Sequence, residues 1–112
     1  MLSIYPACFF KEETGYSVIF PDLENGYLST CGENLEDAMA MAIDCLAGYL
    51  YSGEKDGDII PPASSLSDIN LRKVAEDIYD DDDDETDYSH SFVTMVSVDV
   101  AAYAKKYFEK PV

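Results

Sequence analysis

Tyr16-Ser17-Val18-Ile19-Phe20-Pro21-Asp22-Leu23 is the stretch that decides the fold. Tyr16, Val18 and Phe20 alternate onto one face, the period of a strand, and Pro21-Asp22 ends the run because proline brings no N–H to a ladder. Upstream, residues 2–10 are rich in β-formers and carry no charge, which predicts a strand buried on both faces or nearly so. Lys11-Glu12-Glu13-Thr14-Gly15 turns the chain between these two strands. Downstream, the loop of residues 22–26 leads into a third strand over residues 27–31. Three strands joined by short turns make an antiparallel meander.

A helix follows. Asn34 is placed to cap it, with Asp37 three positions on as a capping-box variant and Glu36 and Asp37 at the positive end of the helix dipole. Leu35, Ala38, Met39, Ala42, Ile43, Leu46, Tyr49 and Leu50 recur at spacings of three and four, so one broad face is expected to cover the sheet. Gly53 is the expected stop. Residues 55–65 hold Gly57, Pro61 and Pro62 and read as a loop, after which Ser67 caps a short helix through Leu71, Val74 and Ile78. Residues 92–98 form the clearest β run, a fourth strand, and Asp99 caps a closing helix on which Val100, Tyr103, Ala104 and Tyr107 share a face. The fold class is therefore α+β: a small βββαβ sheet with one main helix packed on one face. That order resembles a pared-down, degenerate ribonuclease-H-like half sheet.

The 112 residues fit one domain, residues 1–112, and nine tyrosines and five phenylalanines help to supply its core. The formal charge is −16, from 23 acids against 7 bases. Nine of the acids lie between Glu76 and Asp87, and the 14 acids and 7 bases elsewhere still leave −7. Such an exterior repels nucleic-acid phosphates and anionic membranes and suits steering toward a basic partner. The acidic loop, about residues 80–88, is expected to be solvated, since its like charges repel and bury nothing. Its run Asp80 to Asp84 lacks the spaced ligands and glycine of a loop that wraps an ion. Cys8, Cys31 and Cys45 lack C-x-x-C spacing and each falls in an expected strand or helix, so buried, reduced thiols are expected. The amino terminus has no basic region followed by an apolar core, and a soluble, cytoplasmic protein is the expectation.

Tyr5-Pro6-Ala7, Gly15-Tyr16-Ser17-Val18 and Phe20-Pro21-Asp22-Leu23 together resemble the opening of the HicB-type antitoxin family. Gly32-Glu33-Asn34-Leu35-Glu36-Asp37-Ala38 is similar to that family's helix start, Tyr49-Leu50 to its helix end, and Ile60-Pro61-Pro62-Ala63-Ser64 to its Ile-Pro-x-x-Ser loop. The resemblance covers residues 5–64, with residues 92–103 matching less distinctly. It implies the degenerate ribonuclease-H-like fold and an antitoxin that covers the active face of HicA, a small basic ribonuclease that cleaves mRNA. It also implies a homodimer or higher homo-oligomer. Glu24-Asn25-Gly26-Tyr27 stands where many relatives carry Pro-Gly-Cys, and the acidic loop looks like an insertion. Relatives commonly continue into a DNA-binding segment. This chain reaches Val112 without one, so no direct DNA binding is expected of it as given.

Asp22, Glu24 and Tyr27, on the loop after Pro-Asp-Leu, are the candidate partner-binding residues, because exposed acids beside an aromatic suit an interface with a basic protein. They read equally as ordinary turn acids beside a half-buried strand tyrosine. No catalytic, cofactor or metal residue is assigned, and no enzyme activity is expected. A ribonuclease-H site needs clustered carboxylates to hold divalent metal. Residues 2–10 contain none, and Asp22, Asp44 and Asp99 fall on separate elements. His90 has no patterned nucleophile beside it and reads as structural or solvent-exposed. The alternative function is a stand-alone RNA- or nucleic-acid-binding or regulatory module, which the outline permits and the charge opposes. A vestigial nuclease is the remaining alternative.

Overall fold

The computed structural model describes residues 1–80 and 86–109. Of the acidic loop expected at 80–88, residues 81–85 thus lie outside the described residues. The elements run β1 (Ser3–Lys11), β2 (Tyr16–Phe20), β3 (Leu28–Gly32), α1 (Leu35–Asp56), α2 (Leu71–Tyr79), β4 (Phe92–Val98) and α3 (Val100–Tyr107). The strands form one antiparallel sheet in the order β3-β2-β1-β4. β1 is central, which explains its uncharged sequence: Pro6 through Phe10 are all buried. Pro6 survives there because β1 pairs with β2 only from Cys8 onward, so at Pro6 the strand has a partner on one side only.

Side-chain alternation divides the core in two. Ala7 and Phe9 of β1 and Val18 and Phe20 of β2 face α1, whose Ala38, Ala42, Leu46, Ala47 and Leu50 are buried against them. Phe9 stacks on Phe92 of β4, ring centroids 5.0 Å apart and nearly parallel at 7°. Burying an aliphatic side chain such as Leu46 contributes about 1.5–3 kcal/mol. On the other face Cys8, Phe10 and Ile19 meet Ala75 of α2, with Val74 and Ile78 alongside. The main helix lies on one face as expected, and the short helix closes the second face, a placement that no motif in the sequence names.

Local chemistry explains most element ends. The Asn34 side chain accepts from the Asp37 backbone N–H at 2.8 Å, and Asp37 in turn accepts from the Glu33 N–H at 2.9 Å. Asp99 accepts from the Ala102 N–H at 3.1 Å, and this bond is the first cause holding its carboxyl below the usual value. Several boundaries differ from expectation. α1 runs past Gly53 and ends at Gly57, which takes the left-handed conformation at φ 73° that a helix C-terminus favours. Gly53 is instead a packing position: a Cβ there would stand 2.5 Å from the Ile60 side chain. α2 is capped by Asn70, not Ser67, which lies in the preceding 3-10 turn Leu66–Asp68. β3 starts at Leu28, one residue after Tyr27. Leu35, at the very start of α1, is 45% exposed, so the buried face of the helix begins at Ala38.

The three cysteines are free and differ in exposure. Cys8 is buried, which pushes its thiol up to about 12. Cys45 is half-buried, and Cys31 is exposed on the edge strand, which corrects the expectation of three buried thiols. His90 is exposed. Among the described residues no helix is long and apolar enough to cross a membrane.

Candidate partner-binding turn

The turn after β2 closes one end of the sheet and touches both layers. Leu23 is fully buried in the α1-facing core. Glu24, Asn25 and Gly26 then all take positive φ, at 51°, 56° and 86°. Two consecutive non-glycine residues in that region cost on the order of 1–2 kcal/mol each, so surrounding contacts must hold them there. The backbone supplies some: Gly26 N–H donates to Leu23 O at 2.9 Å and Tyr27 N–H to Glu24 O at 3.0 Å. Gly26 is buried above α2, where a Cβ would stand 2.8 Å from the Ile78 side chain.

Side chains supply the rest. The two oxygens of Asp22 accept from the backbone N–H and the hydroxyl of Ser64, both at 2.7 Å. Glu24 accepts from the Tyr49 hydroxyl of α1 at 2.8 Å, and that bond is the largest of the causes raising the Tyr49 phenol above its ordinary value. The Tyr5 hydroxyl of β1 donates to Pro61 O at 2.6 Å, tying the proline loop to the sheet beside Asp22. Burial is the first cause of the raised Tyr5 phenol and the Asp22 charge the second.

Asp22, Glu24 and Tyr27 therefore fall on one turn, in three different situations. Asp22 is half-buried and engaged by Ser64, Glu24 is exposed with one oxygen on Tyr49, and Tyr27 is 72% exposed. Tyr27 is outside the sheet, which sets aside the half-buried strand tyrosine as its description. Sequence reasoning missed Tyr5, Tyr49 and Ser64 as supports of this turn. The only signal for Ser64 was its place in the Ile-Pro-x-x-Ser loop, and no periodicity links it to Asp22, 42 positions away.

The acids weighed for nuclease chemistry have separate duties. Asp22 binds Ser64, Asp99 caps α3, and Asp44 accepts from the Tyr103 hydroxyl at 2.8 Å. Burial and then Asp44 push the Tyr103 phenol up to about 12. Among the described residues no three His, Cys, Asp or Glu side chains are grouped to hold a metal ion.

The family described as "HicB_like antitoxin of bacterial toxin-antitoxin system" has a sequence model that matches residues 5–110. The chain belongs to that family. This HicB-like chain is similar over its whole length to a chain of a toxin-antitoxin complex from Streptococcus pneumoniae, with 32% identity, 78% of that chain covered and a TM-score of 0.80. Two further structures share the fold at 20% identity, each matching 87% of this chain and 99% of the other. One is from a HicA3 and HicB3 toxin-antitoxin complex, TM-score 0.61, and the other is the N-terminal domain of the Burkholderia pseudomallei antitoxin HicB, TM-score 0.54. No curated protein matches the chain.

Proposed function

We propose that this HicB-like chain neutralises a small, basic, mRNA-cleaving HicA-type toxin by lying over its active face, and that the turn of residues 24–27 belongs to the contact. The observation that carries the proposal is an exposed acid and an exposed tyrosine on a turn whose backbone is tied to its surroundings through Asp22, Leu23, Glu24 and Gly26, on a protein whose net charge is −16. The whole-length similarity to a chain from a toxin-antitoxin complex supports it. A rigid aromatic loses little conformational entropy on docking, and acids around it complement a surface built to bind RNA phosphates. On this reading the protein acts as a competitor of RNA and needs no cofactor or chemistry of its own.

Calorimetric titration with the cognate toxin tests the turn. Tyr27→Ala should weaken binding about 30-fold, the loss expected of an interface hot spot. Glu24→Lys should weaken it most at low salt, because a screened charge contributes less. Affinity unchanged in both variants, at low and at high salt, removes the turn from the interface.

Self-association belongs to the same proposal. In the sheet order, β4 is a terminal strand of seven uncharged residues without proline, which lacks the usual defences against edge pairing. A second copy is the partner proposed for it, giving a homodimer or higher homo-oligomer. Light scattering at micromolar concentration should return at least twice the chain mass of 12.4 kDa, and a monomer contradicts this part.

A further inference from the structure

We infer that Asp22 is a positioning residue: through Ser64 it fixes the aim of Glu24 and Tyr27, and it does not itself meet the partner's charge. The inference rests on the proposed reading of residues 24–27 as a contact. Asp22 is the last residue before the buried Leu23, and its two oxygens grip one residue, Ser64, by backbone and side chain together. Ser64 closes the proline loop, which the Tyr5 hydroxyl ties to β1 through Pro61. The loop is thereby fastened to the sheet on one side and to the base of the turn on the other.

Beyond Leu23 the backbone enters the left-handed region for three residues, a costly path that its own two backbone hydrogen bonds hold only in part. Within that path the Glu24 side chain accepts from Tyr49 and Gly26 lies against Ile78. The Asp22 and Ser64 clamp holds the backbone that leads into it. Without it the chain can leave the left-handed path at Glu24, and Tyr27 swings with it. A half-buried carboxylate already satisfied on both oxygens has less to offer a cationic partner than the exposed Glu24.

Charge and clamp separate in substitution. In Asp22→Asn the charge is gone, but the amide oxygen still accepts from the Ser64 N–H and the amide nitrogen can donate to the Ser64 hydroxyl. Asp22→Ala and Ser64→Ala each break the clamp, the second with every charge kept. In calorimetric titration of the full chain with the cognate toxin, Asp22→Asn should stay within about threefold of the parent with an unchanged salt dependence. Asp22→Ala and Ser64→Ala should each lose about tenfold, and the double variant no more than either alone, because the two changes remove one interaction.

Hydrogen exchange on the free chain reads the clamp without the toxin. The Gly26 and Tyr27 amides should exchange about tenfold faster in Ser64→Ala and at the parental rate in Asp22→Asn. Asp22→Asn falling as far as Asp22→Ala, most strongly at low salt, with Ser64→Ala unaffected, overturns the inference and makes Asp22 a charge contact. Parental exchange in Ser64→Ala also overturns it. If Tyr27→Ala leaves affinity untouched while Ser64→Ala still frees these amides, the contact reading fails and the clamp stands as a support of the turn. Should Asp22→Ala fail to fold, Ser64→Ala decides both measurements.

Discussion

Gly32→Ala is expected to leave the chain unable to hold its native packing. Gly32 ends β3 two residues before the α1 cap, and a Cβ built there stands 2.3 Å from the Ala38 backbone nitrogen and 2.4 Å from its Cα. These are backbone atoms in the first turn of a helix, so no rotamer relieves the overlap. The helix must lift from the sheet, and Ala38, Ala42 and Leu46, all fully buried against it, lose their packing together. Gly15 crowds the same corner, where its Cβ would meet the Gly32 carbonyl oxygen at 2.0 Å. Overpacking of this severity costs at least about 3 kcal/mol, a large part of the 5–15 kcal/mol that holds a typical domain. Urea melts followed by circular dichroism should show either no folded baseline or a midpoint far below the parent. Gly57→Ala is the control: it adds only left-handed strain, with no atom within 4 Å of the new Cβ, and should cost about 1–2 kcal/mol. Equal losses in the two variants contradict the close approach of α1 to β3.

The elements that could be read from the sequence are those governed by local rules. Tyr16, Val18 and Phe20 do share the α1 face, β4 spans residues 92–98 as its β-branched run predicts, and Asn34 and Asp99 cap the helices assigned to them. Where a local rule had competitors, the reading slipped. Gly53 and Gly57 both suit a helix stop, and only the packing of Ile60 tells them apart. Ser67 and Asn70 both suit a cap, and Asn70 prevails because it directly precedes Leu71 and bonds Lys73. The second layer was legible in part: an uncharged β1 demands cover on both faces, yet nothing in its sequence names α2 as the cover.

The candidate turn follows the same division. Its location after Pro21-Asp22 could be foreseen from proline chemistry, whereas the exposure of Tyr27 could not, because a half-buried strand tyrosine read equally well there. The engagement of Asp22 by Ser64 and of Glu24 by Tyr49 could not, since hydrogen bonds across 42 and 25 positions leave no periodic trace.

The proposed neutralisation carries the second large expected effect, on the toxin's activity. A basic ribonuclease holds RNA through phosphate contacts, and a protein with net charge −16 draws to the same face by steering that speeds encounter tenfold or more at low salt. Occlusion differs from a general screening of charge in being stoichiometric. With a Kd of about 1 nM and both proteins near 1 μM, only about 3% of the toxin stays free at equivalence. The chain should by itself retain no RNA on a filter at low salt, which separates an antitoxin from a nucleic-acid-binding module.

The most direct measurement is RNA cleavage by the cognate toxin while the folded 112-residue chain is titrated in. Cleavage should fall in proportion to added chain and reach a few per cent of its starting rate near one equivalent. Cleavage continuing at full rate in several-fold excess of the chain contradicts the account.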